Sequence, residues 1–215
     1  ASAPPLPGQV VISEIMYDPH DGLEDRDAEW LELYNAGATA VNLEGCQIAD
    51  ATASSLLEAV VIAPGGYALL AASADPEVNG GLIPDGLFDF TLNNTADDVT
   101  LTCDGVLVDQ VRYNEEVGFP RARAMSISLH PDLLDAGQND AGNSWCHARD
   151  TYLDGPQQWG TPGAANTGCE GAVGFCRLQH PTEIEAEFRA EVAVYGRVYV
   201  EGITDRTPGN DAAGL

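Results

Sequence analysis

Apolar and polar residues alternate along this chain in short runs of period two, and no helical period of useful length interrupts them. Val11-Ile12-Ser13-Glu14-Ile15-Met16-Tyr17 and Glu29-Trp30-Leu31-Glu32-Leu33-Tyr34 are rich in β-branched, aromatic and aliphatic residues and predict two strands. Asn35-Ala36-Gly37 predicts a turn, because Asn and Gly tolerate positive φ. A third strand is expected from Ala40 to Ala49, with Gly45 at a bulge. Asp50 to Ser55 is polar and turn-like, and strands follow at Leu57 to Ile62 and Tyr67 to Ala72. Beyond a loop from Ser73 to Gly86, Leu87 to Leu92 resumes a strand. Val99, Leu101 and Cys103 alternate with threonines, and Asp104-Gly105 makes a hairpin turn into Val106 to Tyr113. Met125, Ile127 and Leu129 alternate with Ser126, Ser128 and His130. Roughly eight or nine short strands separated by Gly, Pro, Asn and Asp turns indicate an all-β chain, a β-sandwich.

From Pro131 to Gly168 the pattern is irregular, with Trp145 and Trp159 as anchors and Thr161-Pro162-Gly163-Ala164-Ala165-Asn166 as a closing turn. Small or apolar residues at Ile184, Ala186, Phe188, Ala190, Val192 and Val194 then alternate with charged ones. The organisation expected is a Pro-rich linker over 1–9, a β-sandwich over 10–169 and an incomplete second β unit over 176–215. The rival arrangement has these last strands completing an edge of the first domain.

Charge narrows the function classes. The net charge is −25, with 34 acidic residues against nine basic ones, all Arg. Such a surface repels phosphate backbones and anionic lipid, so nucleic-acid binding by this fragment is disfavoured. No apolar run approaches the ~20 residues of a membrane helix, so membrane insertion is not expected. The start, Ala1 to Gly8, lacks the basic region and apolar core of a signal peptide, and the natural start is expected upstream.

Catalytic motifs are missing from the sequence: it has no GxSxG elbow, HExxH, P-loop or Gly-rich dinucleotide turn. Glu29 and Glu32 point to opposite faces of a strand and do not read as a catalytic pair. No enzymatic activity is expected. Trp30, Tyr34 and Tyr113 read either as an aromatic patch for a carbohydrate or peptide or as half-buried residues of a sandwich face. The acidic loop between the first two strands carries Asp18, Asp21, Glu24, Asp25 and Asp27 against one Arg26. Five carboxylates this close repel one another unless a cation joins them. One reading is a calcium site, since calcium takes six to eight oxygen ligands. The other is a solvated loop, expected from composition alone. The spacing does not fit an EF-hand.

Five cysteines, Cys46, Cys103, Cys146, Cys169 and Cys176, form no CxxC pair, and the four histidines are scattered, so zinc is poorly supported. Disulfides are the better reading and imply an oxidising compartment.

The segments VISEIMYDP, DAEWLELYN, VNLEGCQIAD, GGYALL, DDVTLTCDGVLVDQVRY, MSISL and GTPGAAN, in that order, resemble the lamin tail domain in its bacterial form, over roughly residues 10–166. The resemblance implies an immunoglobulin-like β-sandwich, followed here by the start of a second β-domain. Many relatives carry Trp in the third strand where this chain has Cys46. That departure, with Cys103 in a strand nearby, implies a Cys46–Cys103 disulfide. Cys146 and Cys169 bracket the closing segment, and their pairing would add about 3 kcal/mol in the chain-entropy model. Bacterial members look like non-catalytic modules of secreted or surface proteins. The function implied is an extracellular structural, adhesion or protein-interaction module with a protein or cell-surface partner. The alternative is an accessory targeting or substrate-binding domain of a secreted hydrolase or nuclease, with calcium as the one candidate cofactor and stabiliser. A third reading is a regulatory calcium-binding module.

Overall fold

The computed structural model describes residues 2–121, 123–152, 158–169, 173–180 and 195–200. Two compact units divide the chain, Ala1–Gly168 and Cys169–Leu215. In the first, β1 (Val10–Met16) is followed by a one-turn helix, α1 (Asp25–Ala28), and by β2 (Trp30–Asn35). The short strands β3 (Val41–Asn42), β4 (Gln47–Ala49), β5 (Ser54–Leu56) and β6 (Val61–Ile62) come next. They lead into β7 (Tyr67–Ala71), β8 (Gly86–Leu87), β9 (Ala96–Cys103) and β10 (Val106–Asn114). β11 (Ile127–Leu129) and β12 (Trp145–His147) complete the unit. In the second unit, β13 (Val173–His180) and β14 (Tyr195–Val200) form an antiparallel pair. The alternating residues 184–194 lie outside the described residues.

Two sheets make the sandwich. One has six strands in the order β12-β11-β1-β2-β7-β8, and the other has four in the order β10-β9-β4-β5. All pairings are antiparallel except β7 with β8. Ile12, Ile15, Leu31, Leu33, Leu70 and Ile127 of the larger sheet share one core with Ile48, Val99, Leu101 and Val111 of the smaller. This is the β-sandwich that the alternating pattern predicts, in the immunoglobulin-like form that the resemblance implies.

Four strand expectations change. The run from Ala40 to Ala49 breaks into β3 and β4, because Gly45 sits at φ +78° and Cys46 N–H donates to Leu43 O at 2.9 Å. A left-handed glycine there makes a turn, not a bulge, and sends the two halves to different sheets. Ser54 and Ser55, expected in a turn, form β5 with Leu56 and pair with β4. The strand expected from Leu57 to Ile62 is reduced to Val61–Ile62, because Leu57 N–H donates to Cys46 O and Val60 O accepts from Leu43 N–H instead. The run from Leu87 to Leu92 keeps its alternation, with Phe88, Phe90 and Leu92 buried, but forms a strand only at its start. Its amides are taken elsewhere: Asp89 N–H donates to Ser55 Oγ and Leu92 N–H to Glu29 Oε2.

The Pro-rich start lies against the sandwich. Ala3 bridges to Val41, and Gly8 N–H donates to Val108 O at 2.8 Å.

Candidate functional site

The central strands β1 and β2 are buried on both faces. Away from the sandwich core, Met16, Trp30, Leu69, Ala71 and Leu82 form a second, smaller core with Tyr152 against it. Trp30 Nε1–H donates to the Tyr152 hydroxyl at 3.0 Å, with the rings edge to face. On this same outer face stand Glu14 and Glu32, directly opposed across the β1–β2 ladder and fully buried.

What covers the two carboxyls is the closing segment. Glu14 Oε1 accepts from Ser126 Oγ, from Ser128 Oγ at 2.9 Å and from Thr161 N–H at 3.0 Å. Its Oε2 accepts at 2.8 Å from Thr161 Oγ1. Glu32 Oε2 accepts from Gly163 N–H at 2.9 Å and Ala164 N–H at 3.1 Å, and Oε1 from Ser13 Oγ at 2.8 Å. Asn166 Nδ2 donates to Ser13 O and Leu129 O, both at 2.9 Å. Thus Gly160–Asn166 is fastened through polar groups to a face that the alternating pattern marks as solvent-facing. Burial pushes both carboxyls up, Glu32 to about 9, with the neighbouring Glu14 adding to the effect.

Two more buried carboxyls hold loops. Asp109 Oδ2 accepts from Ile12 N–H at 2.6 Å and Asn139 Nδ2 at 2.7 Å, and Asn139 O accepts from Trp145 Nε1–H. Burial raises Asp109 to about 7. Glu29 takes the Leu92 amide on one oxygen, while its Oε1 is buried without a hydrogen-bond partner. Burial first, then the charges of Asp25, Asp97 and Asp18, raise Glu29 to about 9.

Of the five acidic-loop residues singled out from sequence, Asp21, Glu24 and Asp25 line an open cleft of about 510 Å³ together with Thr91 and Arg123, and Asp18 and Asp27 do not. Arg123 reaches in from a distant segment, with Nε 3.4 Å from Asp18 and its terminal nitrogen on Asp21. Burial still outweighs Arg123 at Asp18, and its carboxyl is raised. Asp25 Oδ2 accepts from Asn94 Nδ2 at 3.2 Å, Asp27 lies 3.6 Å from Arg26, and Glu24 precedes α1 without capping it by its side chain. Among the described residues no group of three or more His, Cys, Asp or Glu is arranged to hold a metal ion. The aromatic patch does not form: Trp30 and Tyr113 are buried and Tyr34 packs on Tyr67.

Cys46 and Cys103 are joined by a disulfide, with Cα atoms 4.2 Å apart. Each lies one residue beyond the partnered Gln47 and Thr102, so the bond staples β4 to β9 at the end of their ladder. Cys146 and Cys169 are also disulfide-bonded.

The Glu14–Glu32 row is the site that sequence reasoning missed. Its signal was the run of small hydroxyls, Ser126 and Ser128, alternating with Ile127 and Leu129, which leaves room for a covering segment. No helix among the described residues is long and apolar enough to cross a membrane. Neither a curated protein nor a solved structure matches the chain. The family model of the lamin tail domain matches residues 3–115, from the bridge at Ala3 to the end of β10. β11 and β12 lie past that match but extend the same six-stranded sheet. With more than half of its 215 residues matched over the strands of this sandwich, the chain belongs to the lamin tail domain family.

Proposed function

We propose that the chain serves as a non-catalytic structural, adhesion or protein-interaction module of a larger secreted or surface protein. The observation that carries this reading is the use made of its buried carboxyls. A general acid or base must come within hydrogen-bond reach of a substrate proton. Glu14, Glu29, Glu32 and Asp109 are instead at most 3% exposed, and each accepts hydrogen bonds from the chain's own loops. They fasten a scaffold. An extracellular setting is supported by the Cys46–Cys103 bond and the bonded Cys146 and Cys169, because such bonds persist in oxidising compartments.

The test is to recover the native protein from fractionated cells of its source and map its cysteines by mass spectrometry of non-reduced peptides. Recovery from the medium or cell surface with Cys46 bonded to Cys103 is expected. Recovery from the cytosol with both thiols free would overturn the reading. Cross-linking on intact cells, followed by identification of the linked peptides, then names the partner.

A further inference from the structure

The hydrogen bonds around Thr161 contain one more acceptor than they have protons for. Thr161 Oγ1 lies 2.8 Å from Glu14 Oε2 and 3.0 Å from Asn166 Oδ1. The Asn166 amide cannot be turned round, because its nitrogen faces two carbonyls, Ser13 O and Leu129 O, that only accept. The threonine hydroxyl thus stands between two acceptors with a single proton to give. If Glu14 is ionised, that proton goes to Oε2, and Thr161 Oγ1 is left facing Asn166 Oδ1 with lone pair against lone pair. If Glu14 carries a proton on Oε2, the chain runs Glu14 to Thr161 to Asn166 and every contact is a hydrogen bond. Oε1 remains free to accept from Ser126, Ser128 and the Thr161 amide.

We infer that Glu14 is held as the neutral acid at neutral pH, and that this proton gates docking of Gly160–Asn166 onto the sheet. The donors to Glu14 and Glu32 among the described residues are hydroxyls and backbone amides, not cations. The other titratable groups acting here are Tyr67 with Tyr34 beside Glu32, and Tyr152 beside Glu14. β11 and the closing segment contribute only hydroxyls, amides and carbonyls to the pair. Burial raises both carboxyls in the direction this arrangement requires. Loss of the Glu14 proton then puts a buried charge beside Glu32 and leaves Thr161 Oγ1 facing Asn166 Oδ1 with no proton between them, and the segment lifts.

Amide hydrogen exchange on the disulfide-intact chain, read by NMR across neutral to alkaline pH, tests this. Protection at Thr161, Gly163 and Ala164 should hold near pH 7 and fall about tenfold per pH unit once Glu14 ionises. Amides of β9 and β10 should keep theirs. Glu14→Gln presents an N–H to Thr161 and a carbonyl to the serines, so its protection should persist at alkaline pH. Wild-type protection that ignores pH would overturn the inference. So would an E14Q chain that loses protection at these three amides near pH 7 while β9 and β10 retain it. Should E14Q not fold, infrared spectra of wild type decide. A carboxylic-acid band at neutral pH that moves in Thr161→Val supports the inference, and a band absent or unmoved sinks it.

Discussion

A Cβ added at Gly160 would lie 2.7 Å from Trp30 Cζ2, where the closing segment crosses the indole. The ring has little room to retreat, since Trp30 is fully buried and its N–H is held by Tyr152. Overpacking of this kind costs roughly 1–3 kcal/mol. Gly160→Ala is therefore expected to lower the urea midpoint at unchanged slope, and to shift the fluorescence of the buried tryptophan. Gly45 fails for a different reason. Nothing lies within 4 Å of a Cβ built there, but the residue sits at φ +78°. Gly45→Ala should cost about 1–2 kcal/mol of left-handed strain with tryptophan emission unmoved. Equal spectral responses in the two variants would show that crowding at Trp30 is not what Gly160 avoids.

Strand identity was legible wherever alternation coincided with ladder pairing, as in β1, β2, β9 and β10. It misled where one glycine redirected the chain, at Gly45, or where side chains took the backbone amides, at Asp89 and Leu92. The acidic loop was visible as charge, but Arg123, a hundred residues away, could not be assigned to it by spacing. The Glu14–Glu32 row was hidden because alternation tells which face a residue takes and not what later covers that face. The Cys46–Cys103 staple came from the resemblance, and its strength can be measured. It closes a separation of 57 residues, which in the chain-entropy model is about 4 kcal/mol. Replacing both cysteines with alanine should lower stability by that order in denaturant titrations, and a change under about 1 kcal/mol would contradict it. Arg123 is the loop's counter-charge on the distant segment. Its guanidinium is more than half exposed, as is Asp21, so Arg123→Ala should cost at most about 1 kcal/mol. With Arg123 already seated on Asp18 and Asp21, wild-type melts in calcium and in EDTA should superpose. A calcium-dependent rise would show that the loop rearranges to bind the ion, because a ligand specific to the folded state must stabilise it.

The molecule as a whole carries −25, and among its described residues four fully or nearly fully buried carboxyls have their proton affinity raised by burial; both facts tie stability to pH in one direction. A carboxyl raised on folding contributes stability that is fully present below its unfolded value, near pH 4. That stability is lost as pH climbs through the folded value. For Asp109 the loss runs up to about 7, and for Glu29 and Glu32 up to about 9. The fold should therefore gain stability on acidification from pH 9 to pH 5, the reverse of proteins whose buried carboxylates are ion-paired. Each unit of real shift corresponds to about 1.4 kcal/mol, and for a domain of this size roughly 2–4 °C in Tm per kcal/mol. Relief of self-repulsion between surface carboxylates adds in the same sense. The opposing effect, loss of exposed ion pairs such as Arg112–Asp98, is small. Thermal melts at pH 5, 7 and 9 and constant ionic strength should show Tm rising stepwise toward acid. Glu29→Gln and Glu32→Gln should each flatten the slope between pH 7 and pH 9, because each removes one group that must ionise there. A Tm that falls on acidification across this range would mean that these carboxyls are ionised in the folded state, and that surface repulsion is not what limits its stability.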